Sequence, residues 1–274
     1  MRTAAHVTGQ APVTKSRLRP VNVLLLIGAL ALLGPFMAYE AVASSRSVGS
    51  AHKGQLVNGF ELPLDGQHHG FFGPVEERKS NFATLELAAL IGRAARVVAA
   101  ALPGGQPLIL GDCSVDGGGD IKRHVSHRSG RDVDMLFFRV DRGGASVLAD
   151  GFLRFDGRGH CRSRKPCDTR IDVPRTWWLL RTLLASQEPA VQYVFVSRPI
   201  RRLLLAYAQS RGEHPELIQR AKKIMRQPRS AAKHDDHIHL RTYCTPEDQA
   251  SGCVDHGPRW PWVSEDGLAS PLGR

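Results

Sequence analysis

Ser126-His127-Arg128-Ser129-Gly130-Arg131-Asp132-Val133-Asp134-Met135-Leu136-Phe137-Phe138-Arg139-Val140 reads as a turn that runs into a strand. Gly130 supplies the turn, and from Asp132 onward the side chains alternate before becoming continuously apolar. Extended, this segment puts Asp132, Asp134, Leu136 and Phe138 on one face and Val133, Met135 and Phe137 on the other. Working outward, Leu108 to Leu110 reads as a short buried strand, Val191 to Ser197 as a β-branched and aromatic strand, and His237 to Tyr243 as a last strand. Between them Phe82 to Ala101 repeats apolar residues at spacings of three and four, with Ser80 or Asn81 available as a cap. Trp177 to Ser186, Ile200 to Arg211 and Glu216 to Arg226 also read as helices. This interleaving, with no internal repeat, predicts an α+β fold: a single domain with a central, partly antiparallel sheet flanked by helices and preceded by an export helix.

Residues 1–20 carry Arg2, Lys15, Arg17 and Arg19 and no acidic residue, and the apolar run Val23 to Tyr39 follows. The run falls short of the ~20 residues that span a bilayer comfortably, and Ala41-Val42-Ala43 has the form of a signal-peptidase site. The segment 1–43 is therefore expected to be a signal peptide cleaved after Ala43, with an uncleaved signal anchor as the alternative. Either way the rest of the chain is periplasmic or otherwise exported. Residues 44–65, rich in Ser, Gly and polar side chains, read as a poorly packed linker, 66–260 as the functional domain and 261–274 as a C-terminal tail. Cys161 with Cys167 and Cys244 with Cys253 bracket short segments suited to disulfides in an oxidising compartment, which leaves Cys113 over. The C-x2-C spacing of thiolate metal sites is absent.

Apolar residues at 42% and charged residues at 23% exclude wholesale disorder and polytopic membrane classes. With 37 Lys+Arg against 26 Asp+Glu the chain is +11, and about +8 without residues 1–43, a surface that favours polyanions. No helix-turn-helix, zinc-finger or RNA-binding signature accompanies the charge, so nucleic acid is not an expected partner. A membrane contact is expected only through the N-terminal anchor.

Five of the 12 histidines fall in two clusters with acidic neighbours: His124 and His127 before Asp134, and His234, His237 and His239 in H-D-D-H-I-H-L. Strand positions i and i+2 lie about 6.7 Å apart on one face, so His237 and His239 present two imidazoles to one pocket. The Gly130 turn lets His127 fold back towards the Asp134 carboxylate. Two neutral imidazoles and a carboxylate form the donor set of catalytic Zn²⁺, with a fourth position left for water. The other seven histidines read as surface or linker residues.

His127-x6-Asp134, followed far downstream by His237-x-His239, resembles the zinc peptidases grouped with lysostaphin, the D-alanyl-D-alanine peptidases and the hedgehog amino-terminal domain. Within that group it is most similar to the penicillin-insensitive murein endopeptidases, a resemblance shared by His124, Gly111-Asp112, His234, and Cys244 with its partner Cys253. It runs from about Gln55 to Arg259. The resemblance implies a zinc ion held by His127, Asp134 and His239, with His237 and His124 facing the site and His234 nearby. It also implies peptidoglycan as the partner, through hydrolysis of crosslinks between stem peptides. His237 is then the expected base, with Asp236 as the alternative. His124 and His234, partly or fully protonated, are expected to steady the oxyanion, an effect worth roughly 3 to 4 kcal/mol per donor. Arg128, Arg131 and Arg241 are candidate partners for substrate carboxylates, ordinary solvated charges being the equal alternative for each. Trp177, Trp178, Trp260 and Trp262 are candidates to flank a glycan groove, core packing being the alternative for the first two. The rival readings are a D-alanyl-D-alanine carboxypeptidase or dipeptidase and a non-catalytic cell-wall-binding protein.

Overall fold

A computed structural model describes residues 44–163, 167–229, 231–265 and 268–272; the export segment 1–43 lies outside the described residues. In chain order the elements are β1 (Arg46–Ser50), β2 (Lys53–Val57), β3 (Phe60–Glu61), β4 (His69–Phe71), α1 (Pro74–Arg78), β5 (Phe82–Ala83), α2 (Leu85–Ala101), β6 (Leu108–Leu110) and β7 (Asp132–Leu136). They continue with β8 (Arg139–Val140), β9 (Ser146–Val147), β10 (Arg170–Ile171), α3 (Val173–Leu184), β11 (Val191–Phe195), α4 (Arg198–Ser210), α5 (Pro215–Ile224), β12 (Met225–Arg226), β13 (His237–Thr242) and α6 (Pro246–Ala250). Among the described residues no helix is long and apolar enough to cross a membrane.

The main sheet has six strands in the order β12-β11-β13-β7-β6-β4. The four inner strands pair antiparallel, while the edge pairs β11 with β12 and β4 with β6 are parallel. This is the α+β, partly antiparallel architecture expected. Val133, Met135, Ile238 and Leu240 enter the same core as the buried faces of α2, α3, α4 and α5, while Leu136 packs with Ile109 and Ala149 in a smaller cluster. Every residue of β7 is buried, so its polar face is enclosed as well as its apolar one. That enclosure is what gives the acidic residues of β7 their chemistry.

The boundaries differ from the sequence reading in instructive places. α2 begins at Leu85 and not at Phe82, because Phe82–Ala83 pairs with β3 and the Thr84 hydroxyl caps the helix by accepting from the Leu87 N–H. β7 ends at Leu136; Arg139–Val140 leaves it to join β9 and β10 in a separate three-stranded sheet. Both expected disulfides are present and Cys113 is free and buried.

Residues 44–65 are not the loose linker expected from their composition. β1 and β2 pair antiparallel over their whole length, and Ser45, Ser47, Leu56 and Leu62 are buried. Two of the serines that suggested a linker are pinned by distant parts of the fold. Ser45 Oγ accepts from the Leu85 N–H, Ser47 Oγ accepts from Arg131 Nε, and the Ser47 N–H donates to Asp248. The tail is likewise packed: Val263 and Ala269 are buried, and the Ala269 N–H donates to the Gln187 carbonyl. Leu56 fills the space beside Gly130, where a Cβ would lie 2.5 Å from Leu56 Cδ1. Leu56→Ala should therefore cost ~2–5 kcal/mol in denaturant unfolding, whereas a change within about 0.5 kcal/mol, usual for a surface position, would return this stretch to a linker.

Candidate functional site

The register of β13 on β7 sets His239 opposite Asp134, Arg241 opposite Asp132 and His237 opposite Leu136. Alternation then projects Asp132, Asp134, His237, His239 and Arg241 from one face, as the i, i+2 spacing predicted. His127 arrives from the turn in a left-handed conformation, φ +68°, followed by Gly130 at φ +77°. Ser114 holds that turn by donating its hydroxyl to the His127 carbonyl and accepting from the Gly130 N–H. The Asp132 carboxylate accepts from the His127 N–H at 3.2 Å.

Each imidazole is oriented by an acceptor behind it, and each acceptor assigns a tautomer. His127 Nδ1 faces the Cys113 carbonyl at 3.0 Å, His239 Nε2 faces Asp132 at 2.8 Å, His124 Nε2 faces Asp112 at 2.8 Å and His237 Nδ1 faces Asp236 at 2.6 Å. The opposite ring nitrogens all turn towards Asp134. His239 Nδ1 lies 3.0 Å, His127 Nε2 3.4 Å and His237 Nε2 3.4 Å from its Oδ1, and His124 Nδ1 lies 3.8 Å from its Oδ2. The buried Asp134 Oδ1 has no hydrogen-bond donor of its own. His127 Nε2 and His239 Nδ1 stand 3.1 Å apart. Two ring nitrogens thus meet beside a buried carboxylate, a place suited to a positive charge, whether a ring proton or a shared metal cation.

The electrostatics favour positive charge beside Asp134. Burial alone would raise the Asp134 carboxyl, yet the imidazoles of His237 and His127 hold it well below the usual carboxylate range. Burial would likewise lower His237 and His239, but Asp134 with Asp236 raises the first, and Asp132 with Asp134 raises the second. Asp132 stays ionised against its burial because Arg241 and His239 face it. Asp112 is held down, against burial, by His124, Ser80 and Arg78.

The six expected site residues are brought together. The donor atoms of His124, His127 and Asp134 all lie within 4.8 Å of one another, a group able to hold a metal ion. His124 thus stands among the potential ligands and not only beside them. His234 approaches His237 and His239, with ring centroids 5.1 and 5.9 Å away. Burial first, and the neighbouring imidazoles after it, lower its pKa to about 4, so it is neutral at neutral pH and not the cation expected. Asp236, the alternative base, lies against His237 with its Oδ1 2.6 Å from Nδ1.

The arginines expected to meet substrate are otherwise engaged. Arg241 is buried and donates to Asp132 at 2.7 Å, Arg131 is buried against Asp255 at 2.9 Å, and Arg128 pairs with Asp120 at 2.5 Å. Trp177 and Trp260 are buried in the core and so cannot wall a glycan groove, while Trp178 and Trp262 are half-buried against it. Sequence reasoning missed Asp132 as the acceptor behind His239, although its i−2 spacing from Asp134 was visible. It also missed the Cys113 carbonyl, for which a sequence holds no signal.

Fold and site define the class: an α+β protein whose central strands carry a buried His/Asp cluster able to hold a metal ion. The family model of the penicillin-insensitive murein endopeptidases matches residues 47–267, and the chain belongs to that family. No curated protein matches the chain. A murein endopeptidase is a hydrolase whose substrate is peptidoglycan, which agrees with the two disulfides of an exported protein.

Proposed function

We propose that the chain is a zinc-dependent endopeptidase that hydrolyses peptide crosslinks between peptidoglycan stem peptides outside the cytoplasm. The observation that carries this reading is the convergence of three imidazole nitrogens on the buried Asp134 carboxylate, whose Oδ1 has no hydrogen-bond donor. Nitrogen and carboxylate donors suit zinc better than magnesium or calcium, which favour oxygen. His127, Asp134 and His239 would hold the ion, and His124 Nδ1 is the further donor the geometry offers. Bound zinc supplies a lowered water pKa and a Lewis acid for the amide carbonyl.

The remaining chemistry belongs to the chain. His237 Nε2 takes the proton of the attacking water and returns it to the leaving amine. Asp236 fixes that tautomer at Nδ1 and stabilises the imidazolium formed in between. His234, neutral and packed against Phe195, shields one side of His237 from water. Phe152, edge-on to His237 at 5.2 Å, covers another.

Crosslinked muropeptide dimers test the proposal. The protein should release intact monomers, lose that activity after exhaustive chelation and regain it with stoichiometric Zn²⁺ but not Mg²⁺. Loss of terminal alanine alone would make it a carboxypeptidase, and tight binding to sacculi without turnover would make it a binding module. Full activity in metal-free protein would exclude the zinc reading.

A further inference from the structure

Among the described residues ten arginines pair with a carboxylate. Six cations on one side of the molecule do not. Arg198 and Arg201 from α4, Lys222 and Lys223 from α5, Arg226 from β12 and Arg229 beyond it line a cleft of about 550 Å³, and no carboxylate lines it with them. The dipole of α5 accounts for lysines in its last turn, but the same effect disfavours Arg198 and Arg201 in the first turn of α4, which carries no acidic residue. The positive charge is therefore kept at a cost that the helix does not recover.

Two of these cations are fixed without an anion. Arg201 Nη2 donates to the Lys222 carbonyl at 2.7 Å, linking α4 to α5, while its Nε is buried and unpartnered. The Arg226 guanidinium lies 5.3 Å from the Tyr193 ring and 5.1 Å from the Trp260 ring. Holding like charges in place before a ligand arrives reduces the ordering cost of binding. The cleft also adjoins the histidine cluster. Gln227, one of its lining residues, accepts from the His234 N–H at 3.0 Å, and Phe195 on the neighbouring strand lies 5.2 Å from His239.

We propose that this cleft binds the phosphate groups of a phosphodiester-linked polyanion of the cell envelope, holding the protein against the layer where it acts. Guanidinium forks and ammonium groups sharing one concavity match a polymer whose phosphodiesters each present two anionic oxygens at a regular spacing. Nucleic acid is disfavoured, because base stacking needs free aromatic faces and those of Tyr193 and Trp260 are engaged with Arg226. The cleft contains none of the candidate ligands or bases, so the proposal stands apart from the catalytic reading.

Binding of the full chain to a synthetic poly(glycerol phosphate), measured across a salt titration, tests it. The triple variant Arg198→Gln/Lys222→Gln/Lys223→Gln should lose about tenfold or more in affinity, and its salt slope should fall by about 2, at roughly 0.7 per lost contact. A control of equal charge change, Lys53→Gln/Arg96→Gln/Arg211→Gln, should lose less than about threefold, as expected of long-range charge alone. Melting temperature, and hydrolysis of soluble muropeptide dimers wherever the parent shows it, should be unchanged in both. Equal losses in the two variants, equal binding of an uncharged polymer, or tighter binding of single-stranded DNA of matched charge would each overturn the proposal. A parent that cleaves dimers yet ignores the polyanion refutes the cleft alone; one that binds the polyanion yet cleaves nothing refutes only the catalytic reading.

Discussion

His239→Ala is expected to lower turnover of crosslinked muropeptide dimers by about three orders of magnitude, ~4 kcal/mol of barrier, with bound zinc falling in parallel. The side chain contributes Nδ1 at 3.0 Å from Asp134 and 3.1 Å from His127 Nε2, the tightest corner of the donor cluster. Its loss leaves one imidazole and one carboxylate of the proposed ligand set, plus His124. His237→Ala is the informative companion. That ring is partly exposed and its proposed work is proton transfer, so turnover should fall by about 10²- to 10⁴-fold while zinc stoichiometry stays at the parent level. Metal analysis beside kinetics separates the two roles. If His237→Ala sheds the ion and His239→Ala retains it, the roles must be exchanged, and if neither changes metal content the cluster is not the zinc site.

The strands that build the site were legible because alternation is a local property. Asp132 to Val140 and His237 to Tyr243 could be read as strands from residue type alone, a few residues too long for the first, and the i, i+2 rule put their polar side chains on one face. Pairing register was not legible, and it is register that sets His239 opposite Asp134 and Arg241 opposite Asp132. Hence Arg241 read as either a substrate-binding guanidinium or a solvated charge, when it is buried as the counter-ion of Asp132. Arg131 misled in the same way, since Asp255 lies 124 residues away in sequence. The segment 44–65 shows the converse limit. Serine-rich composition describes a chain that prefers water, but it does not reveal that Leu85, Arg131 and Asp248 satisfy those serines in the fold.

Asp132→Asn should injure stability and metal binding by two separable routes. The carboxylate is fully buried and accepts from Arg241 Nε at 2.7 Å, His239 Nε2 at 2.8 Å and the His127 N–H at 3.2 Å. An amide of the same shape offers one acceptor oxygen, turns an NH₂ donor towards groups that are themselves donors, and leaves the Arg241 cation buried without a counter-charge. Breaking a buried pair from one side costs about 3–5 kcal/mol, to be read from denaturant unfolding in chelator so that metal does not contribute. Separately, His239 loses the anion that holds its Nε2 proton and keeps Nδ1 bare, and loss of such an outer acceptor weakens metal binding by about 10- to 100-fold. Adding Arg241→Gln to Asp132→Asn distinguishes the routes. The double variant removes the stranded cation and should recover much of the stability, but it restores no anion behind His239, so zinc affinity should stay low. Recovery of both together would mean that Arg241, and not the tautomer of His239, links Asp132 to the metal centre.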